Sequence, residues 1–368
     1  MKTFEFKIPN KTKMPPIWNK CYVPYMDTID CNSFKTLESM YCRALSKQVL
    51  VDLIDSLNLN INKSQSSCKI AKEISARLMI PASFKNFLYS LSDDSLDIFK
   101  DIVNSESAYL LPANKAQQNL ILLSSGYLCL NESTTLRVVV VPENVKALFR
   151  ETYSEDFAEK RNQIRWLSQC LQACTIFHGV TPSETVAQIF NQDERWNYTA
   201  EEIMSLSKEL PYQLRYSKLV ENDFVAFSFI RNNSSYDIIG SQAGKDYYIP
   251  SVDDIKKICT GTYWGSSQYA NQVIEFLIKE IPENKICRHI SDAVREVEIS
   301  FASGSTLSEA IDILLYFEII LPSSALGFRK LEKNLLHLWS NTRMPVNRGH
   351  TPLELEGKKV VDFKIKHV

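Results

Sequence analysis

The chain has 368 residues, of which 45% are hydrophobic and 23% are charged, so it is long enough for two or three domains with hydrophobic cores. Its 10 glycines, about 2.7% of the chain against a usual value of roughly 7%, argue against a nucleotide-binding α/β enzyme, because phosphate loops and tight βα turns need glycine. The 42 basic and 43 acidic residues give a formal net charge of −1, which excludes a global electrostatic attraction to nucleic acid or to membranes.

The cysteines and the apolar runs indicate the compartment. The nine cysteines are odd in number and no pair has CxxC spacing, which is typical of reduced thiols that act as small core residues. Residues 1–7 contain no apolar segment that could serve as a signal peptide. The most apolar later run, residues 311–321, is too short for a membrane span and carries Asp312 and Glu318. We therefore expect a cytoplasmic protein without a membrane partner.

The first 80 residues divide into an arm and a helical unit. Residues 1–34 combine a short alternating run with four prolines, and their first 24 positions carry five lysines and one glutamate. Residues 35–80, called here the N-terminal helical unit, contain two helical apolar stripes separated by a polar turn. Ser46 is placed to cap the first of these helices, and Pro81 closes the second.

Residues 81–155, the first hairpin unit, predict three short helices, a β-hairpin and a closing helix. The third helix is expected from about Pro112 to Ser125, with Gly126 as its C-cap. Strand-like runs follow at 127–130 and 136–141, and Pro142 begins the closing helix. This order of elements is winged-helix-like.

Residues 156–232, the second hairpin unit, show a related order. A long helix ends at Gly179, Thr199 caps a later helix, and a hairpin is expected at 216–229. The polar run 231–248 predicts a linker. Residues 250–368 predict a C-terminal helical domain with a basic tail.

The expected fold class is therefore mainly α with small β-hairpins. It comprises the N-terminal helical unit, tandem winged-helix-like units and a C-terminal helical domain.

Four segments carry a resemblance to known proteins. Residues 45–80, which begin Leu-Ser-Lys-Gln-Val-Leu-Val-Asp-Leu-Ile and end near Ile-Ser-Ala-Arg-Leu, resemble the SAP-like N-terminal domain of transcription termination factor Rho. The segments 177–181, 248–251 and 339–355 resemble a large uncharacterised bacterial family of Rho-N-like helical proteins. Many members end in a Cys-rich SEC-C zinc motif, which is absent here because the last cysteine is Cys287. The resemblance implies a helical fold and no defined activity.

The segment 339–355, the terminal run, is also similar to the end of some transposase integrase domains. That chemistry requires three carboxylates on a mixed sheet that holds metal ions, and no strand-rich region is predicted here. The sequence also lacks Gly-x-Ser-x-Gly, HExxH and phosphate-loop motifs. We therefore expect a protein that is not an enzyme and that has no cofactor and no metal.

Two regions are candidates for contact with nucleic acid. Residues 45–80 of the N-terminal helical unit have a net charge of +2 and present five cations, Lys47, Lys63, Lys69, Lys72 and Arg77. The alternative for this unit is ordinary surface charge beside a small helical spacer. The third helix of the first hairpin unit and its wing offer Asn114, Lys115, Gln118 and Arg137. Residues 81–150 hold six basic and seven acidic residues, so the second region attracts phosphate weakly, and a solvated helix in a protein-binding winged helix is the favoured interpretation there.

Cys170, Cys174 and His178 fall on one helical stripe and form a possible zinc-ligand set. The ends of that stripe are about 12 Å apart at 1.5 Å per residue, so one ion cannot bind all three. Core cysteines are the favoured interpretation.

The terminal motif contains Asn341, Arg343, Asn347, Arg348, His350 and Glu354. One interpretation is a structured turn, in which Thr351 and Glu354 form a capping box and the arginines hold the turn against the helical domain. The other is a basic recognition loop, because residues 328–368 hold nine basic and four acidic residues. The structural role is favoured.

The sequence therefore leads to two hypotheses. In the first, the chain is a non-enzymatic regulatory protein that contacts DNA, RNA or the transcription machinery. In the second, it is a protein-interaction scaffold that binds a protein partner without nucleic acid.

Overall fold

A computed structural model describes Pro24 and residues 34–105, 109–112, 119–132, 137–231, 235–280 and 289–356. The chain divides into two compact lobes. Lobe 1 comprises Met1–Arg165 and Pro211–Leu214, and lobe 2 comprises Trp166–Leu210 and Arg215–Val368. The described residues are mainly helical with two small antiparallel sheets, which confirms the predicted mainly α class with small β elements.

Lobe 1 begins with the N-terminal helical unit, which has three helices. They are α1 (Leu37–Ala44), α2 (Lys47–Ser56) and α3 (Ser67–Leu78). Ser46 caps α2 as predicted, since its side chain accepts a hydrogen bond from the Val49 backbone N–H. The apolar side of each helix enters one hydrophobic core, which continues into the first hairpin unit.

Within its described residues, the first hairpin unit adds four helices and one sheet. The helices are α4 (Pro81–Ser90), α5 (Asp93–Asn104), α6 (Leu120–Leu123) and α7 (Glu143–Thr152). The sheet has the order β1-β3-β2, built from β1 (Tyr109–Leu111), β2 (Cys129–Glu132) and β3 (Arg137–Val140). Tyr109 pairs with Val139, and Cys129 pairs with Val140.

The predicted third helix differs from the structure in extent. Only Leu120–Leu123 is helical among its described residues, and the stretch 113–118 lies outside the described residues. Strand β1 was not predicted from the sequence.

Helix α8 (Glu155–Phe177) contributes its first part, up to Arg165, to lobe 1. The Arg161 side chain is 3% exposed and donates hydrogen bonds to the Leu88 and Leu91 carbonyls, at 3.1 and 2.6 Å. Its third contact is an ion pair of 2.7 Å with Asp93, whose side chain is 79% exposed. Arg161 therefore satisfies the buried backbone at the C-terminal end of α4.

Lobe 2 contains the rest of the second hairpin unit. Its helices are α9 (Ser183–Phe190), α10 (Ala200–Lys208) and α11 (Phe227–Arg231), and α12 (Ser235–Gln242) follows the unit. The sheet has the order β4-β6-β5, from β4 (Val180–Pro182), β5 (Ser217–Val220) and β6 (Asp223–Ala226). Thr199 forms the predicted N-cap of α10 in a capping box with Glu202.

The linker expected at 231–248 differs from the structure. Helix α12 occupies part of it, and its last residue, Gln242, is buried. The polar composition of this run indicated a loop. Gln242, however, is a buried polar residue whose amide hydrogen-bonds two carbonyl groups inside lobe 2.

The C-terminal helical domain forms the remainder of lobe 2. Its helices are α13 (Val252–Thr260), α14 (Gln268–Glu280), α15 (Ile290–Ala302), α16 (Leu307–Tyr316), α17 (Ala325–Ser340) and α18 (Pro352–Glu356). Helices α14 to α17 share one apolar core. A 3₁₀ turn at Pro345–Asn347 precedes α18.

Replacing Arg161 with methionine leaves the Leu88 carbonyl oxygen without a donor, whereas the Leu91 carbonyl keeps a hydrogen bond of 2.5 Å from Arg165 Nη1. We expect a loss of about 2 kcal/mol in the free energy of unfolding. Urea unfolding of the full chain, followed by circular dichroism, measures this loss. The matched control is Asp93→Asn, which keeps both carbonyl bonds and changes only an exposed partner, so it costs under about 1 kcal/mol. Equal effects of the two substitutions would contradict the role given to Arg161.

Candidate functional site

The N-terminal helical unit places its five predicted cations on the surface. Lys47 begins α2, Lys63 lies in the connection to α3, and Lys69, Lys72 and Arg77 are on α3. All five side chains are exposed. At about 100° per residue, the three α3 cations fall within one half of the helix circumference.

These cations differ in their partners. Lys63 forms an ion pair with Asp55. Arg77 donates one hydrogen bond, from Nη2 to the Asn60 carbonyl at 2.7 Å. Within the described ranges, Lys47, Lys69 and Lys72 have no ion-pair partner. Their charge is therefore available to an external anion.

Of the second predicted region, the third helix of the first hairpin unit and its wing, the structure describes only a part. Asn114, Lys115 and Gln118 lie outside the described residues. Arg137 begins β3, the central strand of the first sheet. The basic N-terminal arm, apart from Pro24 and Phe34, and the tail from residue 357 onward also lie outside the described residues.

A cavity of 420 Å³ opens in lobe 1 between the N-terminal helical unit and the first hairpin unit. Its lining includes Asn58, Arg77, Asn86, Phe87, Tyr127 and Tyr212. Tyr212 comes from a 3₁₀ turn, Tyr212–Leu214, which belongs to lobe 1 although it follows α10 in the chain. We call this the lobe 1 cavity.

Two long-range hydrogen bonds fix the walls of the lobe 1 cavity. The Tyr127 hydroxyl donates to the Leu78 carbonyl at 2.8 Å, which ties the first hairpin unit to the end of α3. The Tyr41 hydroxyl donates to the Gly126 carbonyl. Both tyrosines are buried, and burial raises the pKa of each above its ordinary value, so both remain neutral donors.

Lobe 2 brings together three of the four segments that carried the resemblance: residues 177–181, 248–251 and the terminal run. His178 Nε2 lies 2.9 Å from the Tyr248 carbonyl, and the Tyr248 backbone N–H donates to the Arg348 carbonyl at 2.9 Å. Gly349 packs against Phe177, His178 and Tyr248. The sequence singled out these segments separately, without indicating that they meet.

Glu354 is the acceptor that holds together residues 341–354, which carry the terminal motif and are called here the terminal loop. Arg343 binds it through two guanidinium nitrogens, at 3.0 and 3.1 Å. Glu354 also accepts from the Thr351 backbone N–H at 3.0 Å, and its own N–H donates to the Thr351 hydroxyl, which completes the predicted capping box. His350 Nδ1 lies 3.2 Å from the same carboxylate. Burial opposes ionisation of Glu354, but the Thr351 hydrogen bond and the Arg343 charge together hold its pKa below the usual value.

The two arginines of the loop stack on adjacent tyrosines. Arg343 Cζ lies 3.4 Å from the centre of the Tyr248 ring, and Arg348 Cζ lies 4.3 Å from the centre of the Tyr247 ring. Arg348 also donates to the Lys245 carbonyl. Both guanidinium groups are therefore engaged within lobe 2, as the structured-turn interpretation expects.

Polar side chains outside the motif complete this arrangement. Gln242 Nε2 donates to the His178 carbonyl at 2.6 Å and to the Pro345 carbonyl at 2.7 Å. Lys245 Nζ donates to the Val346 carbonyl at 2.8 Å and contacts Asn347 Oδ1 at 2.9 Å. Asn341 donates from its amide to the His337 carbonyl at 2.9 Å. Sequence reasoning missed Gln242 and Lys245, because both lie in the run that it interpreted as a linker.

His178 is fully buried and neutral. A carbonyl oxygen only accepts, so Nε2 carries the proton and donates to Tyr248, while Nδ1 accepts from the Thr181 hydroxyl at 3.3 Å. Burial lowers the pKa of His178 to about 4. Both ring nitrogens are occupied by hydrogen bonds.

Cys170 and Cys174 are buried, and burial raises the pKa of both thiols. In the part of the chain that the structure describes, no three His, Cys, Asp or Glu side chains are grouped to hold a metal ion.

A groove of 810 Å³ lies beside the terminal loop in lobe 2. Its lining includes Lys245, Asp246, Trp339, His350 and Glu356. Cations and carboxylates are mixed along it, so it favours no single class of charged ligand.

No protein-family model, curated protein or solved structure matches this chain. None of the helices within the described ranges has the length and apolar character needed to cross a bilayer.

The buried imidazole of His178 makes folding pH-dependent. The unfolded chain takes up a proton there below about pH 6.5, whereas the folded chain does so only near pH 4, so acid favours unfolding. We expect this group to reduce the free energy of unfolding by roughly 2 kcal/mol between pH 7 and pH 5. His178→Gln removes that part of the dependence, as measured by urea unfolding at both pH values. His337→Gln, an exposed position on α17, is the control and leaves the dependence as it is.

Gly349 has φ +81°, and a Cβ atom there would lie 3.1 to 3.2 Å from Tyr248, His178 and Phe177. Gly261 has φ +72° with nothing within 4 Å of the same point. Both alanine substitutions incur the left-handed backbone cost of about 1–2 kcal/mol. We expect Gly349→Ala to destabilise the chain by at least about 1 kcal/mol more, because of the close approach. Equal unfolding midpoints for the two variants would show that the three segments are not tightly packed.

Proposed function

We propose that this chain is a non-enzymatic regulatory protein that contacts nucleic acid through the exposed cations of the N-terminal helical unit. The observation that carries the proposal is the set of lysines on α2 and α3, Lys47, Lys69 and Lys72, which have no ion-pair partner within the described ranges. An exposed cation that forms no internal pair adds phosphate attraction without first breaking a contact.

Local electrostatics favour this unit over the rest of the described chain. The first turns of α2 and α3 contain no acidic residue, so their N-terminal backbone N–H groups add to the positive potential. The two loop arginines, Arg343 and Arg348, are by contrast engaged with tyrosine rings, Glu354 and backbone carbonyls. We therefore place the contact on lobe 1 and assign the terminal loop a structural role.

A non-enzymatic role is supported by the surroundings of His178 in lobe 2, the titratable group there whose pKa is shifted most apart from the thiols and tyrosines. His178 is buried, and both of its ring nitrogens form hydrogen bonds. A general acid or base needs access to the proton that it transfers.

The family resemblance supports the same proposal. We propose that the chain belongs to the bacterial family with a Rho N-terminal or SAP-like helical domain, that it acts in transcription regulation, and that it is cytoplasmic. The support is the meeting of segments 177–181, 248–251 and 339–355 in one packed cluster, as expected for motifs that belong to one fold.

An alternative proposal is a protein-interaction scaffold. The C-terminal helical domain exposes large apolar side chains near the end of α16 and the start of α17, namely Leu315, Tyr316, Ile320 and Leu326. A partner that remains bound after nuclease treatment and is released by Leu326→Glu would favour the scaffold.

The double substitution Lys69→Glu and Lys72→Glu tests the main proposal. We expect it to weaken binding of DNA and RNA by at least about tenfold at 50 mM salt, and to reduce the slope of log affinity against log salt by about 2. Fluorescence anisotropy with labelled oligonucleotides measures both quantities.

The matched control makes the same charge change on α17, at Lys330 and Lys333, which are exposed. An equal loss of binding in the control would show that only net charge matters. The absence of any binding by the unmodified chain at 50 mM salt would overturn the proposal.

A further inference from the structure

We propose that the lobe 1 cavity receives an unpaired base of a single-stranded nucleic acid, whose backbone follows the cations of α3. This inference rests on the proposed function and makes it more specific: the partner is a single strand, and the recognised element is a base.

The cavity has the size and the aromatic surface that a base requires. Its 420 Å³ lies within the range of roughly 300–1,000 Å³ that is typical of small-ligand sites. Phe87 and Tyr127 form its aromatic wall, with ring centres 4.6 Å apart. Tyr212 adds an aromatic ring that is 48% exposed and therefore accessible for stacking.

The polar groups of the lining are of the kind that hydrogen-bond to base edges. Three amides line the cavity, from Asn58, Asn86 and Gln213, and each supplies donors and an acceptor. Within the described residues, none of these three side chains has an internal hydrogen-bond partner. The serine hydroxyls of Ser56 and Ser90, by contrast, already donate to backbone carbonyls.

The charge of the lining fits a neutral base joined to an anionic backbone. Among its lining residues, all within the described ranges, Arg77 is the one cation and there is no carboxylate. Arg77 uses one nitrogen on the Asn60 carbonyl, which leaves further guanidinium donors for phosphate. Lys69 and Lys72 lie on the same half of α3 as Arg77. The one carboxylate of that half, Glu73, accepts a hydrogen bond of 2.9 Å from Gln65.

A paired base cannot enter such a cavity. In a duplex the bases are stacked and their pairing edges are occupied, so only groove edges are accessible. A base in a single strand can turn out of the stack and present its pairing edge to the amides. The geometry therefore selects a single strand over a duplex.

The test compares three probes on the full chain: single-stranded DNA and RNA oligonucleotides of each base, duplexes of the same sequences, and free nucleoside 5′-monophosphates. We expect the single strands to bind at least about tenfold more tightly than the duplexes, and the monophosphates to bind weakly. Tyr212→Ala and Asn86→Leu should each weaken single-strand binding about tenfold and leave duplex binding unchanged.

Two substitutions at exposed positions of lobe 2, Tyr316→Ala and Asn271→Leu, are the matched controls and should leave all binding unchanged. Because Tyr212 and Asn86 are exposed, their variants are expected to fold, and circular dichroism checks this.

Each alternative outcome has a separate meaning. If single strands and duplexes bind equally, and only the Lys69 and Lys72 variant loses affinity, the cavity assignment is wrong and the proposed function stands. If monophosphates bind as tightly as strands, the ligand is a free nucleotide and the single-strand proposal is overturned. If no probe binds at 50 mM salt, both the proposed function and this inference fail.

Discussion

The fold depends on satisfying backbone carbonyl groups at helix ends with side chains from distant positions. Helix C-termini leave carbonyl oxygens without intrahelical partners, and these are costly when buried. Here Arg161 bonds the end of α4, Tyr127 bonds the end of α3, and Gln242 bonds the carbonyl just beyond α8. The same bonds shape the lobe 1 cavity and the terminal loop.

This dependence explains what the sequence could and could not predict. N-caps such as Ser46 and Thr199 follow from local periodicity and spacing, and these two were predicted correctly. Strands β1 and β4 have three residues each, which is too short for a periodic signal. A remote donor such as Gln242 leaves no local signal either, because its partner is chosen by the tertiary fold.

The candidate site could likewise be predicted only in its local features. Exposed lysines on α3 follow from the apolar stripe, because the residues opposite it face solvent. The capping box of Thr351 and Glu354 was also visible in the sequence. The lobe 1 cavity was not, because its amides come from Asn58, Asn86 and Gln213, which lie far apart in the chain. Spacing carries no information about side chains that meet only after folding.

The turn Tyr212–Leu214 has a consequence for how this protein can evolve. It belongs to lobe 1, yet it is encoded between two segments of lobe 2. A fragment that ends at Arg165 therefore carries the lysines of α2 and α3 but lacks part of the cavity lining. Recombination at a single boundary would transfer an incomplete lobe, so the two lobes are expected to be inherited together rather than exchanged as separate modules.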